Sequence, residues 1–251
     1  MTCTLHHGDA LRWLETLPDH SVDALITDPP YSSGGLQSAN RNAVPFKKYT
    51  GHSGRYALFS DFEGDTRDQR VHSRWMVDWL SETRRVLRPG APVCLFSDWR
   101  QLPLTTDALQ YAGFVWRGIM VWDKTNCRFV RGRPQARAEY IVWGSKGDLP
   151  VTRNAPALPG VFTHAITRSD RHHMTGKPTA LMRQLVHICE RRPDGTGGLI
   201  LDPFAGIGTT LVAAALEGYR AIGCELSEHY YHIARDRLAA LIPDSDQASA
   251  A

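Results

Sequence analysis

The stretch Leu199-Ile200-Leu201-Asp202-Pro203-Phe204-Ala205-Gly206-Ile207-Gly208-Thr209-Thr210-Leu211 reads as an apolar strand that runs into a glycine turn and then a helix. A βα turn of this kind is a ligand site. Glycines let a ligand approach the backbone, and the free N–H groups at the helix start favour an anion such as a carboxylate. The pattern is not the dinucleotide fingerprint, because Leu211 stands where the third glycine would be, and no Gly-Lys-Ser/Thr follows to make a P-loop. At the end of the next strand stands Glu225, followed by Leu226, where doubly wound folds carry the acid that binds ribose hydroxyls. An adenosine-bearing ligand with a carboxylate suits both ends.

Outward from this turn, strand-like runs fall at Thr2-His6, Val22-Thr27, Ala91-Ser97, Phe114-Trp122, Ala138-Gly144, Gly198-Asp202 and Tyr219-Glu225. Helical patterns fall at Ala10-Thr16, Ser73-Leu87, Gln101-Tyr111, Thr179-Cys189, Thr209-Glu217 and Glu228-Leu241, with stops at Pro89-Gly90 and Gly218. The alternation predicts an α/β domain with a mostly parallel sheet. Phe114-Trp122 and Ala138-Gly144, with no helix between them, could pair antiparallel. A single domain over residues 1–242 is expected, with loops at about 32–71, 124–137 and 145–177 and a disordered tail at 243–251.

A second loop carries the chemistry. Asp28-Pro29-Pro30-Tyr31 follows the apolar run Val22-Thr27 directly, at the strand end where open α/β sheets bind ligands. Two prolines fix the backbone and remove donors, so the loop presents carbonyl acceptors with a carboxylate before them and an aromatic face after them. That suits a flat ring bearing an amino group. Such an amine is a poor nucleophile because its lone pair is delocalised. Accepting its two N–H groups on Asp28 and the Pro29 carbonyl would localise the pair, with Tyr31 stacked on the base.

With 42% hydrophobic and 22% charged residues, the 251-residue chain has the composition of a globular protein, and no run is apolar enough to span a membrane. Met1 to Asp9 lacks the pattern of a secretory signal, so a cytoplasmic protein is expected. Five scattered cysteines and the pairs His6-His7 and His172-His173 lack metal-ligand spacing, and no metal is expected. Net charge is only +3, but no acid falls between Pro29 and Ser60, where Arg41, Lys47, Lys48 and Arg55 lie. Lys124, Arg128, Arg131, Arg133 and Arg137 form a second basic run, and Arg168 and Arg171 a third. These residues are the candidate contacts to double-stranded DNA.

Together the two loops resemble those of the S-adenosylmethionine-dependent amino-group DNA methyltransferases. The order, Asp-Pro-Pro-Tyr ahead of the glycine loop, is similar to their β class, and the match runs from about Gly8 to Leu238. His173-Met174-Thr175-Gly176-Lys177-Pro178 resembles the family's His-Pro-Thr-x-Lys-Pro segment at the cofactor's methionine end, with Met174 in place of the usual proline. Gly8-Asp9 resembles the pair whose acid binds the cofactor adenine, and Glu225 the acid on its ribose. Arg85-Val86-Leu87-Arg88-Pro89-Gly90 and Val121-Trp122-Asp123-Lys124 are further matches.

The resemblance implies a Rossmann-like methyltransferase fold with circularly permuted motifs. Its seven strands would lie in the spatial order Thr2-His6, Tyr219-Glu225, Gly198-Asp202, Val22-Thr27, Ala91-Ser97, Ala138-Gly144, Phe114-Trp122, with one strand antiparallel. It also implies S-adenosyl-L-methionine as cofactor, bound by Asp9, Asp28, His173, Thr175, Lys177, Asp202, Pro203, Phe204, Ala205, Gly206, Gly208, Thr209, Thr210, Glu225 and Leu226. The expected reaction is direct methyl transfer to the N6 amine of a flipped adenine, by a homodimer and without a cysteine nucleophile. Cytosine N4 is the alternative acceptor, adenine being favoured because the loop begins with Asp28. The alternative of another class is a catalytically silent DNA-binding module.

Overall fold

The computed structural model describes residues 3–32, 67–127, 129–166 and 176–241. Its strands are β1 (Cys3–His7), β2 (Ala24–Thr27), β3 (Pro92–Ser97), β4 (Val115–Asp123), β5 (Ala138–Ser145), β6 (Val161–Thr163), β7 (Leu199–Asp202) and β8 (Arg220–Glu225). They form one sheet in the order β1-β8-β7-β2-β3-β5-β4-β6. The first seven positions follow the expected order, and β5 alone runs antiparallel to its neighbours β3 and β4. The eighth strand corrects the expected count. β6 pairs in parallel with β4 at the sheet edge, from Val121↔Val161 to Asp123↔Thr163, inside the stretch read as a loop over 145–177. Three residues are too few for a period of two to show in sequence.

The helices are α1 (Ala10–Thr16), α2 (Gln69–Val86), α3 (Leu102–Tyr111), α4 (Thr179–Leu185), α5 (Thr209–Leu216) and α6 (Glu228–Ala239). α2 begins four residues before the expected Ser73, because Asp68 caps it by accepting the Arg70 N–H at 3.2 Å. Beyond α4 the winding tightens into a 3-10 turn, Val186–Ile188, where a continuous helix to Cys189 was expected.

Alternation along the central strands builds a core on each face of the sheet. Ala24 and Ile26 of β2, with Cys94 and Phe96 of β3, meet Leu181 and Met182 of α4 and Leu211 and Ala214 of α5. Leu25, Val93 and Leu95 point the other way, onto Leu14 of α1, Met76, Trp79 and Leu80 of α2, and Leu109 of α3. β2 and β3 are therefore buried on both faces, which is why they read as unbroken apolar runs. Each buried Val, Leu, Ile, Phe or Met side chain among them contributes roughly 1.5–3 kcal/mol by leaving water. Among the described residues no helix is long and apolar enough to cross a membrane.

This topology places the carboxyl ends of β1, β2, β7 and β8 along one edge. Because β5 is reversed, its first residues arrive at that same edge, with Glu139 opposite Trp122 of β4.

Candidate active site

The glycine loop is fastened from below. The Thr27 hydroxyl, at the end of β2, donates to Asp202 Oδ1 at 2.6 Å, and the Phe204 N–H donates to the same oxygen at 3.2 Å. Gly206 and Gly208 hold φ of +53° and +75°, the left-handed region that favours glycine. Gly208 then starts α5, and a Cβ on it would stand 3.0 Å from Ala234 Cβ. Glu225 closes the loop from the side: Oε2 accepts the Gly206 N–H and Oε1 the Ser227 N–H, both at 2.8 Å. Asp9 caps α1 through the Arg12 N–H at 3.0 Å.

Burial pushes the Asp202 carboxyl up to about 6, against the opposing hydrogen bonds of Thr210, Thr27 and Phe204. A folded value raised above the ordinary 3.8 means that this group's stability contribution is full below about 3.8 and is lost as pH rises through 6. Asp202→Asn keeps an acceptor for Thr27 but carries no charge. Relative to wild type it should gain about 1–3 kcal/mol at about pH 8 and nothing at about pH 4. Urea unfolding at the two pH values measures this, and an equal change at both contradicts it.

At the end of β2, Asp28 Oδ1 accepts the Tyr31 hydroxyl at 2.6 Å, and Oδ2 receives the Lys177 ammonium. Lys177 also lies 2.9 Å from Glu139 Oε1, the Tyr31 hydroxyl lies 2.9 Å from that same oxygen, and Lys124 Nζ lies 3.0 Å from Glu139 Oε2. Carboxylates and ammonium groups thus alternate along Asp28, Lys177, Glu139 and Lys124. Lys177 is 6% exposed and Glu139 12%, whereas Asp28 keeps 28% of its side chain open.

Burial raises the Asp28 carboxyl above its ordinary range, and Lys177 offsets this only in part. Burial disfavours the Lys177 ammonium, but Asp28 and Glu139 outweigh it and its pKa ends above the usual value. Burial likewise disfavours ionised Glu139, yet Lys177 and Lys124 hold that carboxyl below its usual range. Tyr31 is pushed well up by burial and by both carboxylates, so its hydroxyl stays a neutral donor.

One cavity of about 780 Å³ joins the two loops. Asp9, Gly206 and Glu225 line one end of it, and Asp28, Tyr31 and Lys177 line the other. Phe204 lies between, edge-on to Trp79 with ring centres 5.0 Å apart and tilted against Trp75 at 5.3 Å. Trp79 Nε1 is buried with no hydrogen-bond partner among the described residues.

The sequence-predicted residues Asp9, Asp28, Pro29, Pro30, Tyr31, Lys177, Asp202, Pro203, Phe204, Ala205, Gly206, Thr209, Thr210, Glu225 and Leu226 all line this cavity. Gly208 does not line it and packs against Ala234 of α6. Lys124, read from sequence as a DNA contact, lines the cavity and pairs with Glu139. Arg137 pairs with Asp123 at the root of the β4–β5 hairpin, at 2.5 Å, while Arg131 and Arg133 are exposed on the same hairpin. Arg41, Lys47, Lys48, Arg55, Arg128, Arg168, Arg171, His173 and Thr175 lie outside the described residues, as do the tail at 243–251 and most of the loop at 32–71. Sequence reading missed Glu139, Trp75 and Trp79.

A family model described as DNA methylase, of the N6/N4 type, matches residues 22–236. The chain belongs to this DNA methylase family. The methylase is 29% identical over 247 residues to the putative methylase YubD of Escherichia coli, covering 97% of this chain and 93% of that one. It is 27% identical over 259 residues to the type II methyltransferase M2.DpnII of Streptococcus pneumoniae, covering 94% and 89%. Among solved structures, the M1.HpyAVI–SAM complex superposes with a TM-score of 0.68 at 22% identity, covering 94% of the methylase and 99% of that chain. The cytosine-N4-specific PvuII DNA methyltransferase superposes at 0.66 with 16% identity, covering 98% and 88%. The fold is thus shared with a cytosine-N4-specific enzyme.

Proposed function

We propose that this methylase transfers a methyl group from S-adenosyl-L-methionine to the N6 amino group of an adenine flipped out of double-stranded DNA. The observation that carries the reading is the single cavity in which the Asp28 loop faces the glycine loop. Its volume lies in the range of roughly 300–1,000 Å³ usual for small-molecule sites.

The residues present fit the cofactor. Asp9 and Glu225 offer acceptors for adenine and ribose, Phe204 an aromatic wall, and Trp79 Nε1, without a partner among the described residues, a spare donor in the same wall. His173, Thr175 and the backbone of the glycine loop would hold the methionine end. Bound there, S-adenosyl-L-methionine supplies an electrophilic methyl group. Asp28 and the Pro29 carbonyl accept the two N–H groups of the base amine, and the Tyr31 ring stacks on the base. Asp28 at the head of the loop favours adenine, while cytosine N4 remains the second reading because the fold serves that base too.

In this reading residues 1–242 form one domain, and the loops at 32–71, 124–137 and 145–177 face DNA. Arg131 and Arg133 stand clear on the hairpin and contact phosphates. Replacing both by Ala should reduce the slope of log affinity against log salt by about 2, with weakening that is similar across sequences. An unchanged slope removes them from the interface. The methylase acts as a homodimer in this proposal, and a monomeric sedimentation coefficient at micromolar protein contradicts that element.

Labelled cofactor tests the reading as a whole. Label transferred to unmethylated duplex DNA supports it, and label found only in polypeptide, or nowhere, contradicts it.

A further inference from the structure

We infer that Glu139 is a positioning residue that draws the Lys177 ammonium and the Tyr31 hydroxyl off Asp28 when the base amine arrives. The inference rests on the proposed transfer to a base amine and adds a requirement to it. Both Asp28 oxygens are already engaged, Oδ1 by Tyr31 and Oδ2 by Lys177. An amine entering the open side of Asp28 must compete with two donors, one of them a full positive charge that drains the carboxylate of the electron density the amine needs.

A buried ammonium cannot leave one carboxylate unless a second one receives it. Glu139 Oε1 already lies 2.9 Å from Lys177 Nζ and 2.9 Å from the Tyr31 hydroxyl, so both donors can change partner with little movement. The backbone of Glu139 is held one pair from the end of the β4–β5 ladder, with Trp122 of β4 opposite it. Lys124 on Oε2 keeps a cation on Glu139 throughout, so the receiving carboxylate stays charged. Glu139 itself need not touch the base.

Steady-state kinetics of Glu139→Gln and Glu139→Asp, with calorimetric titration of S-adenosyl-L-methionine, test this. Glu139→Gln removes the receiving charge and should lower kcat roughly 100-fold, with cofactor Kd and DNA KM within about threefold of wild type. Glu139→Asp keeps the charge but retracts it, and its kcat should fall only about tenfold. Should Glu139→Gln fail to fold, Glu139→Asp decides alone, and wild-type kcat in it overturns the inference. A kcat for Glu139→Gln within about threefold of wild type also overturns it. So does a loss carried by Kd or KM, or an aspartate variant as slow as the glutamine one. Wild type in the same assay separates the two readings: if it methylates DNA while the variants are unimpaired, only the role of Glu139 fails, whereas a wild type that leaves DNA unmethylated defeats the proposed function.

Discussion

Asp28→Ala is expected to lower the single-turnover rate of methyl transfer by about 1,000-fold or more while leaving cofactor affinity within about threefold. The substitution removes the acceptor that faces the cavity at the end of β2. The proposed cofactor end is held by bonds that do not pass through Asp28: Thr27 to Asp202, and Gly206 and Ser227 to Glu225. The fold should survive as well, because Lys177 keeps Glu139 as a counterion at 2.9 Å. Calorimetric titration and a rapid-quench assay on the same preparation separate chemistry from binding. Wild-type-like turnover, or a loss explained by weaker cofactor binding, contradicts the role of Asp28.

Lys177→Met attacks the same network from its centre and should be felt in the fold. Removing this cation leaves Asp28 and Glu139 close together, with Lys124 as the remaining cation paired to them among the described residues. Breaking a buried ion pair from one side costs about 3–5 kcal/mol, and the low end applies because Asp28 is partly open and Lys124 remains. The sign with pH follows from the carboxyls. Burial already raises Asp28, and loss of Lys177 raises both groups further, since Lys177 lowers each of them. A carboxyl raised in the folded state destabilises when ionised, so the penalty is largest at about pH 8 and shrinks as falling pH protonates Asp28. Urea unfolding of wild type and variant at about pH 8 and about pH 5 measures this. A penalty independent of pH contradicts the charge alternation.

Much of this was legible in the sequence because both loops are local objects. An apolar strand that breaks at Asp28-Pro29-Pro30-Tyr31, and another that breaks at Asp202 before two glycines, carry their geometry with them. Their meeting in one cavity follows from the placing of β2 beside β7, which the resemblance supplied. What escaped were features made by register. Glu139 is a lone acid in the run Ala138-Glu139-Tyr140-Ile141-Val142-Trp143, and only the reversal of β5 carries it to the edge that holds Asp28. An ionisable residue inside an otherwise apolar strand was the available signal. The partner of Lys124 lies fifteen residues on, and charge counting does not see that pairing. Trp75 and Trp79 read as ordinary helix positions, and their place in the cavity wall depends on where Phe204 is held. β6 is set by backbone pairing alone, which three residues do not advertise.

The most direct measurement is the identity of the methylated nucleoside. Unmethylated duplex DNA incubated with the purified methylase and labelled S-adenosyl-L-methionine is digested to nucleosides and resolved by chromatography and mass spectrometry. With Asp28 as acceptor for an adenine amine, the label should appear in N6-methyl-2′-deoxyadenosine, and it should be absent from the Asp28→Ala digest. Label in N4-methyl-2′-deoxycytidine would contradict the choice of base, and label that persists after Asp28→Ala would contradict the site.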